Sequence, residues 1–122
     1  MILAIVGTTK LANHPDVTAH VRDVILKYRP DEVVTGGGDG VDSTVRRVAL
    51  EMGIGVRVFK PEVQKWDGGD QVGYRQRNEQ IAYLCDRLVR IAEPKPESAS
   101  SAWTKELAEK LGRPTEEKII DA

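Results

Sequence analysis

Residues 32–42 read EVVTGGGDGVD, in which a short β-branched segment stops at four glycines within five residues. A helical pattern follows at once, with Val41, Val45 and Val48 on one face. A parallel strand that passes into a helix through glycine is typical of open α/β sheets, which bind ligands at the carboxyl ends of their strands. The segment therefore predicts an α/β fold and marks the sheet edge where a site belongs.

The strand-then-helix pattern recurs along the chain. Apolar segments predict strands at 2–6, 32–35, 56–59, 87–92 and 118–120, and helical spacing predicts helices at 16–28, 41–52, 74–85 and 103–111. Asp16 is in position to cap the first helix. Strands that alternate with helices indicate βαβ units and a parallel sheet. The chain therefore predicts a Rossmann-like three-layer sandwich with a mostly parallel sheet of about five strands, in a single domain over residues 1–122.

Size and hydropathy indicate a soluble protein with one core. Of the 122 residues, 40% are apolar and 30% are charged, and no apolar run is long enough to span a bilayer. Residues 1–6 lack the basic region and cleavage site of a signal peptide, so we interpret them as the first strand. We expect a cytoplasmic protein with no membrane partner.

Charge and cysteine content exclude several functions. A net charge of −1 provides no broad positive field, so nucleic acid is not an expected partner. Cys85 is the only cysteine, which excludes an internal disulfide and a thiolate metal cluster, and we interpret it as a core residue. His14 and His20 are interpreted as surface residues, and no metal site is expected. The oligomeric state stays open, with a homo-oligomer as one option.

The glycine turn is the main candidate binding site. Residues without a Cβ let the backbone approach an oxygen closely, and N–H groups at a helix start form an anion site. We therefore expect Gly36, Gly37, Gly38 and Gly40 to bind phosphate. The alternative is a tight turn that uses glycine only for its shape.

Two acidic residues in this segment would repel a phosphate that both of them touched. Asp42 is expected to cap the following helix by accepting backbone N–H bonds, which is favoured over direct ligand contact. Asp39 is expected either to bond a ribose hydroxyl or to point into solvent. Both residues belong to the candidate site.

The end of the first strand lies at the same sheet edge. Gly7 and Thr8 follow that strand, so the Thr8 or Thr9 hydroxyl is a candidate ligand contact, although satisfying the turn is the commoner use. Trp66 is a candidate for stacking on a base, with covering of the sheet edge as the alternative.

Three segments resemble one protein family. Residues 35–42, TGGGDGVD, resemble the SGGAxGAD segment of the SLOG superfamily, and most closely its YpsA-related branch of small Rossmann-like proteins. Arg77-Asn78, with Ile81 after it and Gly73 before it, is similar to an arginine-asparagine motif of that branch, with one extra residue and no proline. Residues 98–104 align with a serine and glycine-threonine pattern of the branch, with serines in place of Gly-Thr.

The resemblance implies a ligand groove above the sheet, lined by the glycine turn, by Arg77 and Asn78, and by the helix start at Ser100 and Ser101. Its ligand would be nucleotide-derived, like AMP, NAD or ADP-ribose, and no other cofactor is expected. Two helix starts and a guanidinium would bind phosphate through backbone and side chain together. The alternatives are a surface ion pair for Arg77 and a helix-start hydrogen bond for Asn78.

The resemblance also implies two other functions, because the superfamily includes proteins that have them. Lonely Guy phosphoribohydrolases cut the base from nucleoside monophosphates with a glutamate, whose aligned position here is Thr104, and Glu106 is expected to face away. A hydrolase would therefore need a carboxylate from Asp67, Asp70 or Glu79. Residues 36–49 also resemble the SGxAxGID motif of the single-stranded DNA-binding protein DprA, but the balanced charge and few aromatic residues speak against a strand binder.

Overall fold

The structure is a computed structural model that describes residues 1–61, 73–94 and 99–121. The strands are β1 Ile2–Gly7, β2 Glu32–Gly36, β3 Gly55–Phe59, β4 Arg87–Ala92 and β5 Thr115–Ile119. The α-helices within these ranges are α1 Pro15–Tyr28, α2 Val41–Glu51, α3 Tyr74–Leu84 and α4 Ala99–Lys110. A short 3-10 turn, Thr9–Leu11, follows β1.

The five strands form one parallel sheet in the order β3-β2-β1-β4-β5. This order confirms the predicted Rossmann-like fold. The chain adds strands on one side of β1 up to β3 and then crosses to the other side with β4. The carboxyl ends of β1 and β4 therefore flank the point where the direction of the strand order changes, which is where open α/β sheets bind ligands.

Both faces of the sheet are covered by helices. Leu3 and Ile5 pack in one apolar cluster with residues of α1 and α2, and Ala4 and Val6 pack in a second cluster with residues of α3 and α4. Successive side chains of a strand point to opposite faces, so a strand covered on both sides is apolar throughout. The unbroken apolar run of β1 thus results from its central place in a three-layer sandwich.

Three predicted element starts are wrong. Helix α4 begins at Ala99 and not at 103. The other two are wrong for local reasons. The N-cap of α1 is His14, whose Nδ1 accepts a hydrogen bond from the Asp16 backbone N–H, so Asp16 lies inside the helix. Strand β5 begins at Thr115 and not at 118, because its first residues are charged and carry no apolar signal. An edge strand tolerates such charges.

Two other expectations concern the core and the membrane. Cys85 is buried, as predicted, and burial raises the pKa of its thiol to about 11. In the part of the chain that the structure describes, no helix is long and apolar enough to cross a membrane.

The start of α2 is packed directly against the end of β1. The Val41 N–H donates to the Thr8 carbonyl at 3.1 Å, and a Cβ on Gly40 would lie 2.6 Å from that oxygen. Gly40 also has φ +71° and ψ −126°, a backbone conformation that is essentially restricted to glycine. A side chain at this position would push the start of α2 away from the end of β1.

We expect Gly40→Ala to lower the free energy of unfolding by at least about 2 kcal/mol more than Gly53→Ala does, because it adds steric overlap to conformational strain. Gly53 is a matched control, since its φ is +77° but nothing lies within 4 Å of its Cβ position. Urea unfolding of both variants measures the difference. Equal losses would contradict the close packing of the turn against β1.

Candidate functional site

A small cavity lies at the carboxyl ends of β1 and β2, under the starts of α3 and α4. Its volume is about 20 Å³. Its lining consists of Val6, Gly7, Gly36, Asp42, Arg77, Asn78, Ile81, Ser100, Ser101 and Thr104. Residues that the sequence placed in three separate motifs therefore border one space.

Asp42 is held in the first turn of α2 by two hydrogen bonds that do not cap the helix. It is 8% exposed and accepts from Thr35 Oγ1 at 3.0 Å and from the Gly38 N–H at 3.2 Å. The N-cap position belongs to Gly40, which makes no side-chain cap bond. The predicted capping role is wrong, because the carboxylate reaches back to brace the glycine turn.

Burial changes the protonation of Asp42. Loss of solvent raises its pKa from 3.8 to about 6, although the Arg77 charge and the bonds from Thr35 and Gly38 act in the opposite direction. Perturbed carboxyls of this kind are common at functional sites. Asp42 can therefore exchange a proton near neutral pH.

Arg77 is buried and not part of a surface ion pair. It is 6% exposed, donates through Nε to Asn78 Oδ1, and donates through Nη1 to the Phe59 carbonyl at 3.3 Å. Its guanidinium carbon lies 5.3 Å from the centre of the Tyr74 ring. Burial lowers the pKa of Arg77, and the Asp42 charge opposes this.

Gly36 separates these two charged groups. A Cβ at Gly36 would lie 2.5 Å from Arg77 Nη1 and 2.6 Å from Asp42 Oδ2. Any side chain would therefore overlap both of them. The cavity uses the room that this missing side chain leaves at the end of β2.

The start of α4 is attached to α3 and β4 by polar contacts. Asn78 Nδ2 donates to Ser100 Oγ at 2.6 Å, a hydrogen bond at the start of α4 that joins two helices. Ser101 Oγ accepts from Arg90 Nε at 2.9 Å. Thr104 Oγ1 donates to the Ser100 carbonyl at 2.8 Å, and Thr104 is buried beside the cavity.

Five candidate residues lie around the cavity and do not line it. They are Thr8, Gly37, Gly38, Asp39 and Gly40. Thr8 is buried, Asp39 is exposed, and a Cβ on Gly37 would touch the Lys60 side chain. The N–H groups of Gly38 and Val41 are already bonded within the chain, to Asp42 and Thr8. The turn is thus built for close packing within the chain.

Sequence reasoning missed two charged residues near this edge, Arg90 and Glu93. Arg90 is 3% exposed within β4 and also pairs with Glu117. Glu93 follows β4 directly and accepts a hydrogen bond from Thr8 Oγ1 at 3.1 Å. The sequence feature that could have identified them is a charged residue inside, or directly after, a buried apolar strand.

The other candidate residues lie elsewhere. Trp66, Asp67 and Asp70 are outside the described residues. Glu79 borders an open groove of about 370 Å³ on α3 with Gln76, Gln80 and Tyr83, and Glu106 is exposed. Neither lines the cavity.

A second open groove lies away from the carboxyl edge. It measures about 430 Å³ between α1 and the end of β5, and Asp16, Asp23 and Lys118 border it. His20 lines this groove and is only partly exposed, and burial lowers its pKa. The grooves on α3 and beside β5 are larger than the cavity, but neither combines the end of a central strand with buried charged groups.

Comparison with protein-family models, with curated proteins and with solved structures gave no match. The proposed function is therefore based on the fold and on the side chains around Gly36.

The raised pKa of Asp42 predicts a pH-dependent stability. Because the folded state holds the Asp42 proton up to about pH 6 and the ordinary pKa is 3.8, the folded state binds more protons between these values. The free energy of unfolding therefore falls as the pH rises through this window. Asp42→Asn stays neutral, so we expect the wild-type protein to lose roughly 2 kcal/mol relative to this variant from pH 4 to pH 7. Chemical denaturation of both proteins at several pH values measures this, and a constant difference would contradict it.

Proposed function

We propose that this protein binds or senses a nucleotide, or another phosphorylated ribose derivative, at the carboxyl edge of its sheet. The observation that carries the proposal is the convergence of Arg77, Asp42 and the Ser100 helix start around the space beside Gly36. Three helices contribute to it from both sides of the sheet. The cavity borders the end of β1, one of the two strands that flank the point where open α/β sheets bind ligands.

Electrostatics favour an anion at this edge. Arg77 offers a planar guanidinium, Lys60 adjoins Gly37, and the start of α4 contributes the positive end of a helix dipole. Asp42 opposes an anion when it is ionised, and its raised pKa of about 6 lets it take up a proton on phosphate binding more readily than an ordinary carboxyl would. A phosphate group suits this combination of donors.

The size of the cavity limits how a ligand is bound. About 20 Å³ is room for roughly one water molecule. We infer that a nucleotide lies across the open edge of the sheet and directs a phosphate oxygen, or a bound water, towards Arg77. The ligand would then contact the turn, the end of β1 and the start of α4 together.

The SLOG resemblance supports the same class of ligand, and it favours binding over hydrolysis. Thr104 stands where the Lonely Guy enzymes align a glutamate, and its hydroxyl is bonded to the Ser100 carbonyl. A threonine hydroxyl cannot stabilise an oxocarbenium-like centre as a carboxylate does. We expect ligand binding in the cytoplasm, without turnover.

The proposal predicts that Gly38→Ala weakens AMP binding. The added methyl group would lie 3.2 Å from Asp42 Oδ2 and 3.8 Å from Thr9 Cγ2, and would keep a phosphate from the backbone of the turn. We expect the dissociation constant from calorimetry to rise at least tenfold, about 1.4 kcal/mol, with the circular dichroism spectrum unchanged.

Gly55→Ala is the matched control, because its Cβ position is open and lies on the edge strand β3. Its affinity for AMP should equal that of the wild type. Equal affinity of Gly38→Ala and wild type would contradict a ligand on the turn. Failure of AMP, ADP-ribose, NAD and ribose 5-phosphate to bind would overturn the proposed function.

The absence of turnover is a separate prediction. Incubation of the protein with AMP, NAD or ADP-ribose should release little free base in chromatography, while a bound ligand should raise the melting temperature by mass action. Rapid base release would contradict a binding protein. In that case Asp42→Asn would test the carboxyl group that borders the cavity.

A further inference from the structure

Glu93 occupies the point where the direction of the strand order changes. It follows β4 directly, and β4 pairs with β1 in parallel, with Gly7 opposite Ile91. The ligand crevice of an open α/β sheet forms between two such strand ends. Glu93 is therefore a carboxylate at the expected crevice, two strands away from the end of β2.

The position of Glu93 is set by Thr8. Thr8 Oγ1 donates to Glu93 Oε1 at 3.1 Å and accepts from the Lys10 N–H at 3.2 Å. The Thr8 carbonyl accepts from the Val41 N–H at the start of α2. One residue thus connects the carboxylate of Glu93 to the end of the glycine turn.

The second carboxylate oxygen of Glu93 is unpaired in the part of the chain that the structure describes. Glu93 Oε2 is buried and has no hydrogen-bond partner among the described residues. A buried carboxylate oxygen without a donor is unfavourable, and such atoms in folded proteins call for an explanation. A donor supplied by a ligand would satisfy it.

The negative charge of Glu93 limits which group of a ligand can donate a hydrogen bond to it. A phosphate would be repelled by Glu93, so the group that meets it has to be an uncharged or positive part of the ligand. Neighbouring strands are about 4.8 Å apart, so the ends of β2 and β4 are separated by roughly 10 Å. A phosphorylated pentose with its phosphate near Gly36 can reach this distance with its ring hydroxyls.

We propose that Glu93 accepts a hydrogen bond from a ribose hydroxyl of the ligand, and this inference rests on the proposed function. Asp39 was the residue that the sequence suggested for such a bond. Its side chain is exposed, while Glu93 offers a buried and unpaired oxygen held in place by Thr8. The site then binds the phosphate at the end of β2 and the sugar at the end of β4.

The test compares AMP with 2′-deoxy-AMP and 3′-deoxy-AMP in calorimetry. For the wild-type protein we expect removal of one of the two hydroxyls to weaken binding at least tenfold, as for a charge-assisted bond. In Glu93→Ala the same removal should change affinity less than threefold. Glu93→Gln, which keeps the shape and the bond from Thr8, should fall between the two.

Two controls separate recognition from loss of structure. Inorganic phosphate should compete at least as well for Glu93→Ala as for the wild type, because phosphate carries no ribose and the variant lacks a repelling charge. Glu106→Gln, at an exposed position on α4, should keep the full discrimination against the deoxynucleotide.

The outcomes distinguish the inference from the proposed function. Equal affinity of the wild type for AMP and both deoxynucleotides would overturn the role of Glu93 and leave nucleotide binding intact. Loss of discrimination in Asp39→Asn, but not in Glu93→Ala, would assign the hydroxyl to Asp39 and overturn the inference. Failure of AMP, ADP-ribose, NAD and ribose 5-phosphate to bind would overturn the proposed function and this inference with it.

Discussion

The carboxyl group of Asp42 and the guanidinium of Arg77 face each other across the end of β2. Asp42 belongs to α2 on one side of the sheet, and Arg77 belongs to α3 on the other. Each is buried, so each loses solvation that the opposite charge only partly replaces. The two helical layers are therefore coupled at the candidate site itself.

Glycine makes this arrangement sterically feasible. Gly36 leaves the space between the two charged groups, and a Cβ on Gly7 would lie 2.3 Å from the Ile91 carbonyl of the neighbouring strand. Gly40 lets the start of α2 approach Thr8. These glycines serve packing first, and two N–H groups of the segment are already bonded within the chain. Attraction for an anion must then come largely from Arg77, Lys60 and the start of α4.

The start of α4 depends on a second set of polar contacts. Asn78 bonds Ser100, and Arg90 bonds Ser101, so α3 and β4 both attach to the first turn of this helix. Arg90 also pairs with Glu117 on β5. These groups are largely buried, where an unpaired polar atom is costly, and the contacts therefore orient α4 towards the sheet edge.

The sequence by itself determined the class of fold and the edge of the sheet that carries the candidate site. Alternating apolar strands and amphipathic helices have local periods, and glycine after β2 marks a strand end, so both are readable without distant contacts. Strand β5 and the cap of α1 were misplaced, because charged edge residues and a histidine cap give weak local signals. Only the tertiary structure decided that Asp42 braces the turn, that Arg77 is buried opposite it, and that Glu93 meets Thr8. The pairings of Arg77 with Asp42 and of Glu93 with Thr8 join residues that are far apart in the chain. Burial, which raises the pKa of Asp42, is a property of the packed layers and not of any one segment.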